Sequence, residues 1–203
     1  MSASFSVWDF KAIQNVCFPV SGIADFSEAD KAYLDYVCLI FSEVDNTCTA
    51  YGCNGYSAAK ITVPCMFSGE PNPAKLLIQK VKLPPKTERV TIIADDPEHA
   101  RFIFTGKDGS AIGETVQYVH QSEPIDYAHT FKYSLDKVTQ LGPEGRYRIG
   151  FNPRYLMNAL SAFKDCDRVT LLFGDPIHPV FICPGGNNAP TAAEAMVLPV
   201  RIN

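Results

Sequence analysis

The sequence predicts an α+β fold of repeated β-α-β-β-β half-units, with antiparallel sheets on one side and helices on the other. Three observations carry that expectation. The stretch "VTIIADDPEH" from Val90 returns as "VTLLFGDPIH" from Val169. Extending both copies backwards keeps the match: Asn72-Pro73 and Asn152-Pro153, Leu76 and Leu156, then Arg-Val-Thr, Asp-Pro, a histidine and Phe-Ile coincide. The 203-residue chain is also 46% hydrophobic and 20% charged, an ordinary globular composition able to bury a sizeable core.

Each element has a local reason. In the first unit, near 5–66, "FSVWDFKAIQNVCF" reads as a short strand and then a helix capped by Asp9, with Phe10, Ile13 and Val16/Cys17 on one face. Strands follow, turning near "EVDN" and "GCNG", where Asp, Asn and Gly permit sharp bends. In the second unit, near 67–127, Asn72 is a suitable helix cap and Pro73 takes the first helical position, where its missing N–H loses nothing. Leu76, Leu77, Lys80, Val81 and Leu83 then give a rough helical stripe that Pro84-Pro85 stops. In the third unit, 128–203, Asn152-Pro153 opens a helix whose Leu156, Leu160 and Phe163 form a cleaner stripe. Both later units continue as strand, Asp-Pro turn and strand. The stretch 105–145 holds strand-like pieces around Thr115–Val119 and Thr130–Tyr133 and a loop at "LGPEG". The division expected is 1–127, made of two half-units, and a further half-unit over 128–203.

The Asp-Pro-x-His element reads as a repeated hairpin turn. A two-carboxylate, two-histidine metal or catalytic site is the alternative, and it would require both hairpins to converge. No GxSxG, HExxH or P-loop pattern occurs, and His120 and His129 are isolated, so the expectation is a protein without catalytic residues, metal or cofactor. Seven cysteines without a CxxC pair are expected to be reduced, mostly as small core residues. The N-terminal stretch lacks a basic-then-apolar signal pattern, and no apolar run approaches the ~20 residues needed to span a bilayer. A cytoplasmic setting with no membrane partner is expected. The formal charge of −4 argues against a uniformly basic nucleic-acid binder, though it permits a local basic face.

Over residues 147–203 the chain resembles the last domain of the bacterial DNA polymerase III beta subunit, the sliding clamp. The residues that carry this are Ile149-Gly150-Phe151-Asn152 with Tyr155-Leu156, the Asp175-Pro176 to Ile182 hairpin, and Val197-Leu198-Pro199-Val200-Arg201-Ile202. A weaker echo of the middle clamp domain lies in "CTAYGCNGYSAA", where Gly55 matches and Tyr56-Ser57 stand where that family has His-Arg. The chain looks like a shortened, divergent clamp relative. That resemblance implies sheets forming an outer shell, helices lining a channel and head-to-tail homo-oligomers around double-stranded DNA, held without base contacts. DNA-facing candidates on the three helices are Lys11, Lys75 with Lys80, and Arg154 with Lys164. It also implies a groove for linear peptides of DNA polymerase or repair partners. Carried over, the groove residues are Cys53, Asn54, Gly55, Tyr56 and Ala58, with Asn152, Tyr155, Ile177, Pro179 and the tail Met196, Val197, Leu198, Pro199, Val200 and Arg201. The alternative is a peptide-binding adaptor or decoy that forms no ring.

Overall fold

The computed structural model describes residues 1–21, 34–70, 74–119, 126–140, 149–185 and 193–200. Among these residues, two antiparallel sheets and three helices make an α+β fold. The five-stranded sheet runs β5 (Met66–Ser68), β1 (Ser2–Ser6), β7 (Arg89–Ile93), β8 (His99–Thr105) and β9 (Ala111–Tyr118). The seven-stranded sheet runs β10 (Arg168–Leu172), β11 (Val180–Gly185), β12 (Ala193–Val197), β4 (Ser57–Pro64), β3 (Thr47–Cys53), β2 (Val37–Ser42) and β6 (Ala74–Ile78). Its centre is the β4–β12 pair, in register Ala59↔Ala195, so strands from distant parts of the sequence share one sheet.

Helix α1 (Val7–Cys17) is capped by Ser6, whose hydroxyl accepts from the Asp9 amide at 3.1 Å and donates to the Asp9 carboxylate at 2.6 Å. Asp9 is therefore the acidic residue of the first turn rather than the cap, where its charge suits the positive end of the helix. The expected apolar face is the buried one: Phe10, Ile13, Val16 and Cys17. Helix α3 (Pro153–Ser161) starts as expected, with the Asn152 side chain accepting from the Arg154 amide at 3.0 Å and Pro153 in the first turn.

Alternation along the strands separates two faces of the larger sheet. Leu39, Phe41, Ala50, Ala59 and Ile61 point to the main core, which also takes α1, α3 and Ala3, Phe5, Val90, Ile92 and Phe102 from the smaller sheet. Aromatic contacts knit the layers: Phe5 meets Phe10 at 5.7 Å and Phe41 at 6.2 Å, and Phe41 stacks on Phe67 at 5.2 Å. Gly52 of β3 lets this strand pass directly against the end of α1, since a Cβ there would run into the Cys17 carbonyl.

Two expectations need correction. Residues after Asn72-Pro73 form strand β6 and not a helix, while Asn72 and Pro73 themselves lie outside the described residues. Leu76 and Ile78 face the main core and Leu77 the opposite side, which is strand periodicity; a short apolar run cannot distinguish the two by itself. Residues 72–104 and 152–183 thus share their hairpins, β7–β8 and β10–β11, but not a helix. Secondly, Thr130–Tyr133 belongs to helix α2 (Tyr127–Gln140) and not to a strand. Asp126 starts this helix, its carboxylate accepting from the His129 amide at 3.0 Å. Whereas α1 and α3 share one face of the larger sheet, α2 packs on the other. The piece Thr115–Val119 falls in and just after β9, and "LGPEG" lies outside the described residues. No helix among the described residues is long and apolar enough to cross a membrane.

Candidate partner-binding groove

The repeated Asp/His pairs belong to turns. Asp96 accepts from the Glu98 amide at 2.6 Å and contacts His99 Nδ1 at 3.0 Å; Asp175 accepts from the Ile177 and His178 amides and contacts His178 Nδ1 at 2.6 Å. Each histidine thus closes its own hairpin turn, and the two hairpins belong to different sheets. Burial pulls the Asp175 carboxyl up, but the two amides and the histidine outweigh it and hold the group below its ordinary value.

The described groove residues gather at one end of the seven-stranded sheet, Val197 and Tyr155 on the α3 side and Ala58 and Met196 on the opposite face. The β3–β4 turn is held by Asn54, almost fully buried, whose Oδ1 accepts from the Tyr56 amide (3.1 Å), the Ser57 amide (2.8 Å) and the Ser57 hydroxyl (3.1 Å). Gly55 takes a left-handed φ of 84° at its tip. The amide of Gly55 donates to the Cys53 sulfur at 3.3 Å, and burial pushes that thiol up.

Against this turn come pieces from the other end of the sequence. Met196 pairs with Ala58 and Val197 with Ser57; the Leu198 amide donates to the Tyr56 carbonyl at 2.9 Å. Val200 is bridged to Gly150, its amide donating at 2.8 Å. The ring of Tyr56 lies flat on Tyr155 of α3, centroids 4.5 Å apart and 6° from parallel. Val180 pairs with Val197, so Pro179 comes beside Leu198. Ile177 stands farther out in the β10–β11 turn and is 77% exposed. Asn152 contributes from below as the α3 cap. Arg201 lies outside the described residues.

Two features escaped the sequence reading. An apolar cleft of about 510 Å³ opens beside α3, lined by Ile149, Phe151, Leu156, Leu171, Phe173 and Val180. Its signal was the alternation in "LLFGD", which leaves Leu171 and Phe173 on one side of β10 and its extension. The second feature is α2. Tyr127 stacks on Tyr51 at 5.3 Å, and Phe131 meets Tyr51 at 5.8 Å and Phe181 at 6.2 Å. These rings cover a floor that includes Ala58 and Met196, with Cys53 at its edge. Burial pushes the nearby Cys38 thiol up to about 12 against the pull of Lys75.

The basic candidates are not together. Lys11 on α1 is exposed with its ammonium 5.2 Å from the Trp8 ring, exposed Arg154 lies in the first turn of α3, and exposed Lys164 is not on the helix as expected but in the turn beyond its end. Lys75 lies on β6, where alternation with Leu76 directs it to the sheet face opposite α1 and α3, and exposed Lys80 follows that strand. Neither of these two sits on a helix.

Neither a family model nor a curated protein matches the sequence. Solved structures do. The DNA polymerase III subunit beta from Pseudomonas aeruginosa superposes with a TM-score of 0.69 at 12% identity, over 100% of this chain and 66% of that one. The sliding clamp from Caulobacter crescentus gives 0.67 at 15% identity over 99% of this chain and 65% of that one. A sliding clamp from Pseudomonas aeruginosa bound to griselimycin gives 0.64 at 13% identity over 98% and 65%. This chain spans about 65% of the length of the clamps it matches. Across that span it has the fold of the bacterial sliding clamps.

Proposed function

We propose that this protein is a non-enzymatic, clamp-like tethering factor that holds short linear peptide segments of polymerase or repair partners and associates with itself. One observation carries the reading: the β3–β4 turn, the strand ending at Val197 and helix α3 meet through the Leu198–Tyr56 hydrogen bond and the Tyr56–Tyr155 stack. Polar backbone at the turn and tail lies beside exposed Leu198 and Val200, the mixture that recognises an extended peptide with aliphatic or aromatic anchors. In this reading residues 1–127 and 128–203 are two clamp-like parts fused along β4 and β12.

Self-association rests on the sheet edges. Strand β9 ends one sheet with Val116 and Tyr118 exposed, and β10 ends the other beside exposed Leu171 and Phe173. Pairing unlike edges head to tail covers both and generates rings or filaments. Double-stranded DNA would then meet Lys11, Arg154 and Lys164 through its phosphates, in a cytoplasmic setting. The loss of Lys75 and Lys80 from any helix favours a second reading, an adaptor or decoy that binds partner peptides without encircling DNA.

Fluorescence-detected binding of griselimycin, the compound held by the Pseudomonas aeruginosa clamp, tests the groove. Micromolar binding that falls at least fivefold in Tyr155→Ala is expected; no binding at millimolar concentration refutes the groove. Light scattering followed by loading on nicked circular DNA separates the two readings. A monomer that ignores DNA leaves the adaptor.

A further inference from the structure

Helix α2 stands apart from the rest of the molecule. The main core is built from both sheets, α1 and α3, and among the described residues contains none of α2. Among its described side chains the buried ones, Tyr127, Phe131 and Ser134, recur at positions i, i+4 and i+7 and so form a stripe toward the sheet. With Ala128, His129, Lys132, Tyr133 and Asp136 exposed, this is how an amphipathic helix lies in a partner's groove, a few anchors against solvent-facing neighbours. Lys60 approaches the Phe131 ring at 5.4 Å while pairing with Glu194 at 3.0 Å, a polar margin at one side of the seat. Beneath the anchors lie Ala58 and Met196, two of the residues assigned above to the peptide groove.

We propose that α2 is a built-in competitor: it covers Ala58 and Met196, the part of the groove on the sheet face opposite α3, and a partner must displace it to bind fully. This rests on the groove reading given above. The floor is supplied by strands that the main core already fixes, so departure of α2 leaves a ready-made apolar seat and not a collapsed one. The seat also defines what can replace the helix. Tyr127 and Phe131 fill it with two aromatic rings one helical turn apart, so the effective competitor carries apolar or aromatic anchors at that separation. Because a ligand's apparent affinity scales with the fraction of molecules whose seat is open, removing the internal occupant raises affinity without altering a groove residue.

The test uses the full chain with Tyr127→Ala and Phe131→Ala together, and two labelled probes: a synthetic peptide of residues 126–140 and griselimycin. Fluorescence anisotropy is expected to give at least tenfold tighter binding of both probes to the double variant than to the wild type. Equal griselimycin affinity in both proteins, with the 126–140 peptide bound by neither, overturns the proposal and leaves the groove intact. If the peptide fills the variant but griselimycin binds neither protein, the removable helix stands and the groove reading falls. Should the double variant not fold, hydrogen exchange on the wild type decides. Amides of α2 are expected to exchange through a local opening, well before those of β3 and β4. Equal protection of all three overturns the proposal.

Discussion

Replacing Asn54 by alanine tests the idea that one side chain holds the groove wall. Its carbonyl oxygen accepts three hydrogen bonds, from two backbone amides and one hydroxyl, and both Asn54 and Ser57 are buried. At about 1 kcal/mol net for each bond, Asn54→Ala loses about 3 kcal/mol. The orphaned Ser57 amide cannot find water without opening the turn, so relief is limited. For a chain of this length that corresponds to a fall in Tm of roughly 6–12 °C. Calorimetry or urea unfolding measures it directly. Ser57→Ala is the internal control, because it removes one of the three bonds and leaves both amides satisfied; it should lose about 1 kcal/mol. An Asn54→Ala loss no larger than that of Ser57→Ala would refute the reasoning, since the turn would then be held by its strands alone.

Gly52→Ala forces a methyl group into the Cys17 carbonyl and must push β3 away from α1; a loss of about 3 kcal/mol in urea unfolding is expected. The depressed Asp175 carboxyl stabilises the fold above the unfolded-state value of about 4, and that contribution disappears as pH falls through its lower folded value. Unfolding midpoints of wild type and Asp175→Asn should therefore differ at pH 7 and draw together as pH falls through the depressed folded value. Val116→Lys places a charge on the exposed edge strand β9 and is expected to lower the mass measured by light scattering while leaving monomer stability within about 0.5 kcal/mol.

Local chemistry was readable and distant pairing was not. The two hairpins followed from Asp-Pro turns, whose carboxylates bind amides two and three residues onward, an interaction wholly inside the motif. Helix α3 followed from its Asn-Pro start for the same reason. Strand β6 was misread because Leu76-Leu77-Ile78 is an unbroken apolar run; its two faces are distinguished only once the sheet has core on one side and α2 on the other. Helix α2 was misread because Thr130–Tyr133 is rich in residues that suit strands, although Asp126 and the spacing of Tyr127, Phe131 and Ser134 carried a helix signal. For the candidate groove, the residue types lay in two motifs more than ninety positions apart. What joins them, the β4–β12 pairing and the Tyr56–Tyr155 stack, has no local trace.

The position of β12 has a consequence for how the chain reaches its native state. It is the last of the described strands in chain order yet an interior one, flanked by β4 and β11. The five-stranded sheet needs nothing beyond Tyr118, so it can assemble early, whereas the larger sheet remains two separate halves until Ala193–Val197 threads between them. Closing it requires contacts of very long sequence separation, which places this step among the slow ones. Until then the facing edges of β4 and β11 are unpaired, and crowding at that stage favours strand exchange between molecules.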